Sequence, residues 1–216
     1  MKDLTDYIQE EVGKGTSEEK EAWFEERTNM HIDLVQKAAK KIVDEYPELE
    51  ALLGEVKDHD ASKLVEPERT PYIELTWKHK FDDHKGYKTP GDIDDKAINK
   101  ATMHHILNNS HHPEFHLEDK DDANLDPENR DKSLEVIDVP NMDDISIAHM
   151  VADWQAMSEE LQKNTAREWY DKQKGVRWNF TPEQDKLIDK LLKVFETREP
   201  YHSMDLHDGA DEDDGW

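Results

Sequence analysis

A chain of 216 residues without cysteine excludes disulfides, thiolate zinc sites and thiol nucleophiles, and leaves imidazole and carboxylate as its metal donors. Its formal charge of −25, from 53 acidic against 28 basic residues, argues against a binder of nucleic-acid polymers or anionic membranes, because both need Lys and Arg to neutralise phosphates. A small phosphorylated substrate and divalent cations stay compatible with that charge, and the lack of a signal-like or membrane-length apolar run points to a soluble, cytoplasmic protein.

Residues 3–13 read as a short amphipathic helix carrying Leu4, Tyr7, Ile8 and Val12, stopped by Gly13 and Gly15. Thr16 or Ser17 caps a long helix to about Glu45, in which His31 shares a face with Leu34, Val35 and Ala38 and should point inward. Pro47 breaks it. A third helix from near Glu48, with Leu49, Leu52, Leu53 and Val56 as its stripe, reaches His59-Asp60 near its C-terminal end. Pro67 marks the first turn of a fourth helix, Glu68 to about His84, whose His79 and His84 read as solvated. A loop, residues 86–95, leads to a fifth helix from Lys96 to Asn109 that carries His104 and His105 and is limited by Pro113.

Residues 117–144 form a long acidic loop with a brief extended piece around Leu134, Val136, Ile137 and Val139. Ile145 to Leu161 returns to helical periodicity and sets Asp153 against an inward face with Ala148, His149, Ala152 and Ala156. Trp169, Tyr170, Trp178 and Phe180 gather around a linker, and Thr181 opens a last helix through about Glu196. The expected fold class is all-α: one helical bundle domain over residues 1–200, then an acidic C-terminal tail, 201–216, that is disordered.

Along this chain the chemistry-bearing residues run His31, His59-Asp60, His105, His111 with His112, and Asp153, the order H…HD…H…H…D. A lone His on an apolar face is more often a core residue than a ligand, and a lone inward Asp is usually a cap or ion-pair partner. Several together are different. Burying them unneutralised costs several kcal/mol per charge, whereas one shared divalent cation satisfies them jointly.

His31, His59-Asp60 and Asp153 fall in the order and approximate spacing of the HD-domain metal-dependent phosphohydrolases, which this chain resembles over most of residues 20–162. It is similar to a phage-rich branch carrying H-D-x-S-K and N-x-H-H-P-E, here His59-Asp60-Ala61-Ser62-Lys63 and Asn109-Ser110-His111-His112-Pro113-Glu114, followed by Asp153-Trp154. The resemblance implies an HD-domain-like bundle in which His31, His59, Asp60 and Asp153 hold a divalent metal. Members with two metals add two histidines between the HD pair and the last Asp. His105 and His112, seven apart, would share a face with Asn109 between them if the helix persists; His104 and His111 form the competing pair. The branch pattern favours His105, and leaves His111 and His112 both open. Lys63 is the candidate phosphate contact, against the alternative of a helix-end lysine on the dipole. Glu68 would orient a water or merely begin a helix, and Trp154 or Tyr72 would stack on a base or serve as core.

The resemblance implies a phosphohydrolase acting through a metal-activated water on a nucleotide or other small phosphate ester, cytoplasmic in the host cell if phage-encoded. One or two ions of Mn, Co, Mg, Fe or Zn would serve, with Asp60 helping to aim the water. Di-iron oxygenases share the two-metal ligand order and are the alternative within the enzymes. A non-enzymatic protein that mimics DNA or blocks a host factor is the alternative outside them, suggested by the acidity alone.

Overall fold

The computed structural model describes residues 15–80, 95–118 and 137–196. The expected first helix, His84, the loop at 86–94, the bulk of the acidic loop and the acidic tail lie outside the described residues. Within them the chain is mostly helical: α1 Ser17–Glu45, α2 Leu52–Glu55, α3 Arg69–Lys80, α4 Asp95–Asn108, α5 Asp144–Leu161, α6 Ala166–Gln173 and α7 Pro182–Leu192. The extended piece after the acidic loop is real but short, β1 Ile137–Asp138, and it pairs in parallel with β2 Trp178–Asn179. No helix among the described residues is long and apolar enough to cross a membrane.

The long helix α1 starts on a capping box: Thr16 Oγ1 accepts from the Glu19 amide at 3.2 Å, and Glu19 Oε2 accepts from the Thr16 amide at 2.7 Å. Its buried stripe runs Phe24, Thr28, His31, Val35, Ala38 and Ile42, alternating steps of four and three, and packs along α5 and α3. His31 thus sits mid-stripe, carried inward by the same periodicity as its apolar neighbours. Helices α5, α6 and α7 also begin on side-chain caps, Asp143, Thr165 and Thr181, each accepting from the backbone amide three residues on.

Between α1 and α3 the sequence reading needs correction. No single helix runs from Glu48 to Asp60; the stretch breaks into a 3₁₀ turn at Pro47–Leu49, α2, and 3₁₀ turns at Val56–Asp58 and Ala61–Leu64. His59 is extended (φ −52°, ψ 131°) and Asp60 is left-handed (φ 58°, ψ 14°), a conformation that Asp tolerates better than most residues. The break is what turns both side chains inward: a regular helix would splay them by about 100°, yet His59 and Asp60 are each only 2% exposed. Pro67 likewise lies in the turn before α3 rather than in its first turn.

The main core joins Val35, Ala39 and Ile42 of α1 to Leu52, Ile106, Ile147, Val151, Ile188 and Leu191. Trp154 belongs to it, 5% exposed and stacked on Tyr170 at 6.0 Å and Trp178 at 5.9 Å. That corrects its assignment as a substrate-stacking residue, because both flanking aromatics are core. Trp169 and Tyr170 lie on α6 and not on a linker. Glu114, fully buried, accepts from Arg177 Nη2 at 3.0 Å and Trp178 Nε1 at 3.2 Å, tying the turn after α4 to the chain around β2.

Gly15 opens α1 with φ +45°, and a Cβ there would meet the buried Trp77 ring, its Cε2 at 2.9 Å. Backbone strain and ring overlap then act together, so Gly15→Ala should lower stability by about 1 to 3 kcal/mol, read from urea or thermal unfolding. A variant as stable as the parent would contradict this packing.

Candidate metal centre

Six segments converge on one buried point. Helix α1 brings His31, the broken stretch brings His59 and Asp60, and α4 brings His105 on its last turn. The turn after α4 supplies His111 and His112, and α5 supplies His149 and Asp153 one turn apart. Glu68 enters from just before α3.

Two donor groups meet across Asp60. On one side His31 Nε2 lies 3.0 Å from Asp153 Oδ1 and 3.2 Å from His59 Nε2. Asp60 Oδ2 is 3.5 Å from His59 Nε2 and 3.9 Å from His31 Nε2. On the other side Asp60 Oδ1 is 3.1 Å from His105 Nε2 and 3.8 Å from His111 Nε2. The His112 ring closes that group, 4.9 Å from His105 and 4.2 Å from His111. Both His111 and His112 therefore belong to it, although α4 ends at Asn108 and no continued helix aligns them. The turn does so instead: the His112 amide donates to Asn109 O at 3.0 Å, and Asn109 Nδ2 caps α4 at His105 O, 2.8 Å away. His104 stays outside, its side chain 43% exposed.

The outward ring nitrogens show what the inward ones must be. His31 Nδ1 is 3.1 Å from Glu160 Oε2, a carboxylate itself held by Arg27 Nε at 2.6 Å. His105 Nδ1 is 3.0 Å from Glu68 Oε2. An ionised carboxylate only accepts, so each of these rings carries a proton on Nδ1 and, when neutral, turns the lone pair of its Nε2 toward Asp153 or Asp60. Lone pair against carboxylate is repulsive unless a cation lies between them. Among the described residues Asp60 Oδ1 and His105 Nε2 indeed have no hydrogen-bond partner despite their burial, and neither has His112 Nε2. This donor chemistry fits a metal ion: the groups His31–His59–Asp153, His105–His111–His112 and, between them, His59–His111–His149 are each close enough to hold one.

Electrostatics point the same way. Burial opposes the charge on His31, yet its bonds to Asp153 and Glu160 raise its pKa to about 9. His59, more deeply desolvated, falls to about 3 despite Asp60 and Asp153. Burial also drives His111 and His112 well below the usual imidazole range, helped by each ring's histidine neighbours. Burial works against ionised Asp60, but His59 and Lys63 outweigh it and hold that carboxyl well below its ordinary value. His59, His111 and His112 are thus neutral and Asp60 charged, the protonation that metal ligation requires, while His31 holds its second proton, the one that a bound cation would displace.

Lys63 Nζ lies 2.7 Å from Asp60 Oδ2 and above the Tyr72 ring at 5.1 Å, with its side chain 22% exposed. Glu68 does more than begin a helix: its oxygens lie 2.6 Å from His104 Nδ1, 3.0 Å from His105 Nδ1 and 2.9 Å from Ser62 Oγ, so it orients His105. Sequence reasoning missed His149, whose Nε2 is 2.9 Å from His59 Nδ1, and Glu160. The signal was present, because residues 149, 153 and 160 are four and seven apart and fall on one helical face.

The chain belongs to the family described as Family of unknown function (DUF5662), whose model matches residues 20–194. No curated protein matches it, and neither does any solved structure.

A centre of this kind stabilises the fold on loading. Mn²⁺ or Co²⁺ at about 100 times its dissociation constant should add about 2.7 kcal/mol, seen as a rise in Tm, and Asp60→Asn should remove that rise. A parent protein whose Tm ignores both metals would count against the centre.

Proposed function

We propose that the protein is a metal-dependent phosphohydrolase acting on a nucleotide or other small phosphate ester, in line with its resemblance to the HD-domain enzymes. The observation that carries the reading is Asp60, which turns one carboxylate oxygen to each of two donor groups. Asp60 would help hold a metal on either side, with His31, His59 and Asp153 on one and His105, His111 and His112 on the other. The donors are mostly imidazole, which favours Mn, Fe, Co or Zn over Mg. The metal supplies Lewis acidity toward a phosphoryl group and toward water.

The protein's own groups do the rest. Lys63 spends one of its three N–H donors on Asp60, so a partly exposed ammonium remains to neutralise a phosphate oxygen as charge builds. Burial weakens that charge, but Asp60 more than restores it and raises the Lys63 pKa, so the side chain stays cationic across any working pH. Glu68 and Glu160 fix the rings of His105 and His31, and Arg27 fixes Glu160. An acidic mimic of DNA has no use for this inward convergence. The nitrogen-rich bridged pair does suit a di-iron oxygenase, which is the second reading.

The test is a screen of nucleotides and simple phosphate esters for phosphate release with each metal in turn. Lys63→Met should lower kcat about a hundredfold with metal content unchanged, while Glu48→Ala, far from the centre, should leave it intact. Release by none of the metals, with oxygen consumed by the iron-loaded protein, would replace the hydrolase with the oxygenase.

A further inference from the structure

His149 lies one turn before Asp153 on α5, is 4% exposed, and packs its ring against His59 at 5.0 Å and His111 at 4.6 Å. His59 shows its two nitrogens to different surroundings. Nε2 faces His31, Asp60 and Asp153, whereas Nδ1 faces His149 Nε2 at 2.9 Å. A neutral imidazole carries one proton, so His59 can offer a lone pair at Nε2 only by keeping its proton on Nδ1. That proton needs an acceptor. We infer that His149 is the positioning residue that fixes His59 in the Nδ1–H tautomer and aims its Nε2 at Asp60 and Asp153.

The choice of acceptor has a physical reason. His31 and His105 are oriented by carboxylates, Glu160 and Glu68, at the edges of the cluster. His59 stands between Asp60 and Asp153, where a third carboxylate would add buried negative charge at the most crowded point. An imidazole at this place accepts the bond without adding negative charge. The proton of His149 then falls on its own Nδ1, which has no partner among the described residues. That ring borders a cleft of about 330 Å³ shared with Asp58, Asn109 and Ser110.

This inference rests on the metal reading above, and the experiment separates the two. Long-range ¹⁵N–¹H correlations in histidine-labelled protein report the tautomer of His59 directly; Nδ1–H is expected, and Nε2–H would overturn the assignment. Titration with Mn²⁺ or Co²⁺ should show a 10- to 100-fold weaker affinity in His149→Leu, and His149→Gln, whose amide oxygen can accept the same bond, should restore most of it. Parent-like affinity in His149→Leu would overturn the inference alone, as would equal losses in both variants, which mark a packing role. A parent protein that takes up neither metal, no better than Asp60→Asn, would overturn the metal reading and this inference with it.

Discussion

Asp60 is a carboxylate, only 2% exposed, on a left-handed residue, with one oxygen among His31 and His59 and the other among His105 and His111. Much of the surrounding structure follows from having to keep it there. An isolated buried charge carries a penalty of several kcal/mol, so Lys63 must be drawn onto Oδ2 and imidazoles onto both faces. The left-handed turn matters as much as the charge, because it lets two adjacent residues point into the same space when neither strand nor helix would.

Around that carboxylate the charges do not balance. Asp60, Asp153, Glu68 and Glu160 are gathered within the cluster, while the fixed cations in contact with them are Lys63 and Arg27. His31 makes up part of the deficit by holding its proton. Neutral imidazoles cannot supply the remainder, and a bound cation can. The acidity of the chain as a whole thus has a local counterpart in its interior.

The long elements were legible because burial on a regular helix leaves a periodic trace. The stripe from Phe24 to Ile42, the capping residues Thr16 and Thr181 and the inward Asp153 could all be read from spacing. The stretch from Pro47 to Leu64 could not. Its apolar residues keep a helical spacing while the backbone changes conformation every few residues, and only tertiary packing of His59 and Asp60 selects those turns. Trp154 misled for a related reason: an aromatic next to a ligand in sequence points away from that ligand on a helix, here into Tyr170 and Trp178. His149 was overlooked because a histidine among alanines reads as core until its partner is known. Glu68 was noticed, but its role depended on His105 lying beside it, 37 residues on.

The contact from Glu114 to Arg177 and Trp178 spans 63 and 64 residues, and it holds the turn that carries His111 and His112. During synthesis this turn leaves the ribosome well before its anchor exists, and Asp153 is likewise made long after His31. The group of His31, His59 and Asp153 cannot close on an emerging chain before Asp153 is made. Any ion that these groups hold would then be taken up late, once the C-terminal third has docked. The distance along the chain between donors and anchor would then work as a timer that ties metal uptake to a finished fold.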